Sequence, residues 1–191
     1  MAFETHIHTA ETAPEDARPL LEKSVKSFGM IPNLHAVMAE SPAILGAYQQ
    51  VHGLVVSATA FDATERTVIW QTINVEHSCH YCVPAHTAIA GMDKVDPEIV
   101  AALRAARPLA DAKLEALRQF TLAVLRARGQ VTAGDVEAFQ AAGYGERHAL
   151  EIVLVLAQKV MSNYVNHLFE TPVDAPFQKF AWDAAEAGKA A

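Results

Sequence analysis

Proline and glycine punctuate this chain at intervals that suit helices, and almost nothing between them suits a strand. No long alternating run of Val, Ile and Thr occurs, and neither Asn-Gly nor Asp-Gly is present to turn a hairpin. Thr12 to Pro14 opens a first helix, with Leu20, Leu21 and Val25 on one face and Gly29 at its end. Met30-Ile31-Pro32-Asn33 reads as a turn, followed by a short helix to Glu40. Ser41-Pro42 is a cap and first-turn proline for a helix to about Val56. Asp62 and Glu65 form a capping box ahead of Val68, Ile69, Ile73 and Val75. Gly91 closes the next helix, and Asp96-Pro97 begins another that Pro108 follows. Asp111 to Arg128 is amphipathic and stops at Gly129, and Thr132 caps a short helix that ends at Gly143. The stretch from Gly145 to Glu170 is apolar nearly all round between Leu150 and Leu156, which predicts a place at the centre of a bundle. A last short helix is expected around Pro176 to Ala187. The expected fold is all-α, one multi-helical bundle over residues 14–187 behind a loose N-terminal arm, residues 1–13.

At 191 residues, with 51 % apolar and 19 % charged side chains, the chain can bury a full core without covalent staples. A net charge of −7 argues against a nucleic-acid partner or an anionic membrane surface. No apolar run reaches the roughly 18 residues that span a bilayer. The first 17 residues carry acids but no Lys or Arg, unlike a signal or transit peptide. A cytoplasmic protein is the expectation.

The 2 cysteines stand in one segment, Glu76-His77-Ser78-Cys79-His80-Tyr81-Cys82-Val83-Pro84-Ala85-His86. A pair so close closes too short a loop to staple a fold, so redox chemistry or metal binding is the better expectation. On a helix Cys79, Cys82 and His86 share about 60° of arc, and Cys82 and His86 are an i, i+4 pair. A neighbouring base or a helix N-terminus lowers a thiol pKa toward neutrality, and a second thiol gives a sulfenate a resolving partner. Pro84 has no N–H for the His80 carbonyl, so the helix must begin or kink at the cysteines, with Ser78 as the expected cap. Zinc held by Cys79, Cys82 and His86 with His77 or His80 is the metal alternative, strained by so compact a ligand set. His52, His148 and His167 read as ordinary hydrogen-bonded histidines in amphipathic helices.

Cys79-x-Tyr81-Cys82-x-x-x-His86, preceded by Glu65-Arg66, resembles the carboxymuconolactone decarboxylase-like superfamily, and more closely its alkylhydroperoxidase D (AhpD)-like, peroxidase-related branch. The similarity runs more weakly from Met30-Ile31-Pro32-Asn33 to Asn163-Tyr164-Val165-Asn166. The resemblance implies an AhpD-like helical bundle and a two-cysteine peroxidase that needs no haem, flavin or metal cofactor. It implies trimers or hexamers of the chain, a small hydroperoxide as substrate and a lipoyl or thioredoxin-like dithiol as electron donor. Carried over, Cys82 is the peroxidatic thiol, Cys79 the resolving one, and His86 part of the proton relay. Such peroxidases place a relay glutamate twelve residues before the first cysteine, where this chain has Thr67. Glu65 and Glu76 are the candidate substitutes. An unbroken helix would hold Glu65 about 21 Å from Cys79 along its axis. Glu76 stays nearby and pairs i, i+4 with His80, which makes it the preferred one. The alternatives are a redox-sensing or dithiol-exchange protein, a decarboxylase-like enzyme, and a zinc module.

Overall fold

The computed structural model describes residues 3–188, so the first two residues of the arm and residues 189–191 lie outside it. Among the described residues there is no strand, as expected for an all-α chain. The helices are α1 (Arg18–Phe28), α2 (Asn33–Met38), α3 (Pro42–Ala58), α4 (Ala63–Glu76), α5 (Cys82–Met92), α6 (Pro97–Arg104), α7 (Ala112–Arg126), α8 (Ala133–Ala141) and α9 (Glu146–Leu168). Short 3-10 stretches stand at Glu15–Ala17, Ala175–Phe180 and Ala184–Ala187, the last two replacing the α-helix expected there. No helix among the described residues is long and apolar enough to cross a membrane.

Several starts follow local chemistry. The Asp62 side chain accepts the Glu65 N–H while the Glu65 carboxylate accepts the Asp62 N–H, and Thr132 and Asp135 repeat the arrangement at α8. Asp96 and Asp111 cap α6 and α7 through their carboxylates. Prolines occupy the first turns of α1, α3 and α6, where a missing N–H breaks no helical bond.

The centre of the bundle belongs to α4 rather than to the first half of α9. Ten of its 14 residues are buried, and it packs against α5, α6, α7 and α9. Leu150 and Val153 of α9 are 72 % and 54 % exposed, so the all-round apolar run keeps an uncovered side. Among the described residues two large apolar clusters stand out beside two small ones. One gathers Val68, Ile69, Trp70, Ile73, Leu117, Phe120 and Val155; the other gathers Leu21, Leu34, Leu45 and Tyr48 around the cysteine segment. The second half of α9 runs between them with Gln158, Lys159, Ser162, Asn163 and Asn166 all buried. These positions form one stripe at helical spacing, a polar seam inside the molecule.

The arm lies against the end of α9: Phe3 donates its N–H to the Leu168 carbonyl, and its ring stacks on Phe169. The C-terminal aromatics cover the chain's own body. Trp182 is buried and donates its indole N–H to the Arg104 carbonyl, and Phe177 packs beside the cysteine cluster.

Candidate active site

Helix α4 ends in a left-handed turn at Ser78, whose φ is 55°. The Cys79 N–H reaches back to the Asn74 carbonyl and the Ser78 N–H to the Val75 carbonyl, a Schellman closure. Ser78 therefore ends α4 and does not cap α5, contrary to the sequence expectation. Cys79 takes the capping role: its carbonyl accepts from the Val83 N–H, and its Sγ accepts from the Cys82 N–H at 3.3 Å. Pro84 falls in the first turn of α5, where its missing N–H is tolerated, as expected.

Both cysteines are unbridged, Cys79 fully buried and Cys82 2 % exposed. The Asn166 amide donates to Cys82 Sγ at 3.2 Å and lies 3.9 Å from Cys79 Sγ. Asn163 holds Asn74 with its amide and faces His77 Nδ1 with its oxygen at 2.8 Å, while Asn74 reaches the Cys82 carbonyl. Gln71 donates to the Val83 carbonyl. The Tyr81 hydroxyl donates to Asp174 at 2.5 Å and accepts from the Leu34 N–H, and Asp174 also takes the Asn33 N–H. The turn at Asn33 is thus tied to the thiol segment through one carboxylate.

Behind the sulfurs lies Lys159, with no exposed surface, its Nζ 2.8 Å from His86 Nε2. The His86 ring packs 4.8 Å from that of Trp70, whose indole donates to Gln158, and Gln158 contacts His52 Nδ1 at 2.9 Å. His86 Nδ1 and Asn166 Oδ1 are buried without a hydrogen-bond partner among the described residues.

These surroundings push the two thiols apart. Burial raises the Cys79 thiol well above its ordinary range, and the adjacent Cys82 sulfur raises it further. Burial opposes ionisation of Cys82 as well. There it is overridden by the Cys79 S–H, the Lys159 charge and the Asn163 and Asn166 amides, so the pKa falls. Burial followed by the Lys159 charge holds His86 well below its usual range, hence neutral. Burial also lowers Lys159, against the pull of both sulfurs. The arrangement can hold a thiolate at Cys82 beside a protonated thiol.

The other expected site residues are placed elsewhere. Glu65 stands at the start of an unbroken α4, the far end from the cysteines, bonded to Lys113 Nζ and the Tyr144 hydroxyl at 2.9 Å each. Glu76 meets Arg126 of α7 through both carboxylate oxygens, at 2.8 and 3.0 Å. His80 Nε2 faces the Thr171 carbonyl at 3.0 Å. Thr67 is buried on the α4 face that carries Gln71 and Asn74. Among the described residues no three His, Cys, Asp or Glu side chains come together as metal ligands.

Lys159, Asn163 and Asn166 were not singled out as site residues by the sequence reading. Their signal is a polar stripe at i, i+4 and i+7 in a helix whose first half is apolar.

The architecture is that of the alkylhydroperoxidase AhpD core. An uncharacterized peroxidase-related protein from Ralstonia eutropha JMP134 with that core shares 22 % identity over 90 % of this chain and 92 % of its own, with a TM-score of 0.79. A peroxidase-related protein from Silicibacter sp. TM1040 shares 22 % over 92 % of this chain and 93 % of its own, TM-score 0.77. The debrominase Bmp8, solved with 2,3,4-tribromopyrrole, is similar at 16 % identity over 94 % and 97 %, TM-score 0.76. No protein-family model and no curated protein matches the sequence.

Proposed function

We propose that this chain is a thiol-dependent peroxidase that reduces small organic hydroperoxides or hydrogen peroxide. The observation that carries the reading is the environment of Cys82: a buried sulfur with an amide donor, a lysine charge and a second thiol around it. The Cys82 thiolate attacks the terminal peroxide oxygen; an S–O bond forms, the O–O bond breaks, and the departing oxygen takes a proton. Cys79, adjacent and protonated, condenses with the sulfenic acid to give a disulfide and water. A dithiol donor of the lipoyl or thioredoxin-like kind returns the pair to thiols and is itself oxidised. The cytoplasm, which keeps thiols reduced, is the compartment that suits this cycle. The exposed apolar side chains Leu150 and Val153 on α9 support association of several copies of the chain.

The test is peroxide consumption with intact mass. Cys82→Ser is expected to abolish consumption. Cys79→Ser should react once and stop at a mass increase of one oxygen. Equal consumption by the wild type and both variants would overturn the reading.

A further inference from the structure

No carboxylate among the described residues answers the charge of Lys159. Among the described residues Glu76 and Asp174, the acids whose helices or partners adjoin the thiol segment, are bonded to Arg126 and Tyr81, and Glu65, at the far end of α4, is bonded to Lys113. The groups that face Lys159 are His86 from α5, His52 from α3 and the two sulfurs. Tyr48 of α3 also lies in the field of the sulfurs, and burial keeps its hydroxyl protonated. Both histidines are neutral, His52 lowered to about 4 by burial and then by the Lys159 charge. An ammonium removed from water needs a counter-ion or gives up its proton. Of the two sulfurs facing Lys159 in the reduced protein, Cys82 is the one whose surroundings favour an anion, because burial and the neighbouring sulfur keep Cys79 protonated. In the oxidised protein that anion is gone.

We infer that Lys159 is the acid of the thiol cycle: its ammonium is the counter-ion of the Cys82 thiolate, and its proton goes to the oxygen that leaves when the O–O bond breaks. The inference rests on the peroxidase reading for its substrate. Neutral His86 cannot hold that proton, and its Nε2 instead accepts one ammonium N–H and positions the others. The balance closes within the site. Thiolate, ammonium, the Cys79 thiol and a hydroperoxide become a disulfide, a neutral amine, an alcohol and water. Reduction by a dithiol restores one proton to Cys79 and one to Lys159. The acid thus comes from α9, where Thr67 leaves α4 without one.

The experiment compares wild type with Lys159→Arg, which keeps the charge but does not release its proton, and with Lys159→Met. Iodoacetamide alkylation against pH reads the thiolate, and single-turnover oxidation reads the chemistry. Lys159→Met is expected to move the alkylation midpoint upward. Lys159→Arg should keep a low midpoint, yet lose about 100-fold or more with cumene hydroperoxide, whose alkoxide must be protonated. With peracetic acid, whose carboxylate leaves unprotonated, its loss should stay under about tenfold. A Lys159→Arg rate with cumene hydroperoxide equal to wild type, at an unchanged midpoint, overturns the proposal.

A count that needs neither peroxide nor variant gives a second decision. Wild type oxidised by cyclic dithiothreitol disulfide at pH 7 should take up no proton from solvent, because Lys159 and Cys79 supply both. Uptake of one proton per disulfide, or an alkylation midpoint of an ordinary thiol, overturns the proposal. A wild type inert to every peroxide but with the expected count and midpoint overturns the peroxidase reading and leaves Lys159 as the proton carrier of a disulfide-exchange site.

Discussion

Asn166 touches both sulfurs with one amide, and the contact to Cys82 is the shorter. A hydrogen bond to a charged acceptor contributes roughly 1.5–3 kcal/mol, and one pKa unit corresponds to about 1.4 kcal/mol. Asn166→Ala is therefore expected to raise the alkylation midpoint of Cys82 by about one to two units. Thiolate reactivity is present above the midpoint, so the variant loses it on the acid side of neutrality while alkaline rates are kept. Iodoacetamide rates from pH 5 to 9 check this. The cysteine pair and His86 were legible in the sequence because their chemistry sits in one window with a diagnostic spacing. Lys159 and Asn166 were not: they arrive from a helix far along the chain, where a lysine or asparagine has the look of a solvated face. Glu65 and Glu76 drew attention because carboxylates near a thiol motif are chemically apt. The fold instead gives each a cationic partner on α7 or at its start.

At the scale of elements, starts were easier to read than stops. Caps and first-turn prolines announce helix beginnings through side-chain chemistry, and α3, α4, α6 and α8 begin where those signals stand. Ends are announced by glycine only where glycine takes the left-handed turn, as Gly29 does with φ 71°. Here Ser78, Lys94, Ala106, Arg128 and Glu170 take it instead, with φ between 45° and 59°. Gly91, expected to close α5, lies inside a helix that runs to Met92, and Lys94 makes the turn. A left-handed conformation costs a residue with a Cβ about 1–2 kcal/mol, part of which glycine returns as chain entropy on unfolding. Ala106→Gly, remote from the sulfurs, is expected to stabilise the protein by about 0.5–1 kcal/mol. Thermal unfolding should show a rise of a few degrees, and an unchanged or lower midpoint would refute the strain argument.

For the whole molecule, Glu65 is a joint. Its carboxylate ties the start of α4 to Lys113 of α7 and to Tyr144 ahead of α9. Burial raises its pKa, but Lys113, the Asp62 N–H and the Tyr144 hydroxyl outweigh this, so the folded value lies below the ordinary one. A carboxylate lowered by folding contributes stability that is complete above its unfolded pKa, about 4.3, and lost as pH falls through the folded value. Wild type should therefore lose stability in that acid range. Glu65→Gln should be weaker at pH 7 by about 1–3 kcal/mol and flatter below pH 4. Urea midpoints at pH 7 and pH 3.5 measure both.

The burial of Cys79 and Cys82 sets a tempo as well as an environment. In the cycle proposed above, an oxidant and a reducing dithiol each wait for the fold to open and expose sulfur. Where that opening is slower than the bond-making that follows, raising the concentration of either reactant brings its half of the cycle to a plateau. The height of the plateau is a first-order constant of the protein alone, shared by hydroperoxides of unlike reactivity. A peroxidase of the kind proposed then works like a metered valve, at a pace written in the breathing of its helices.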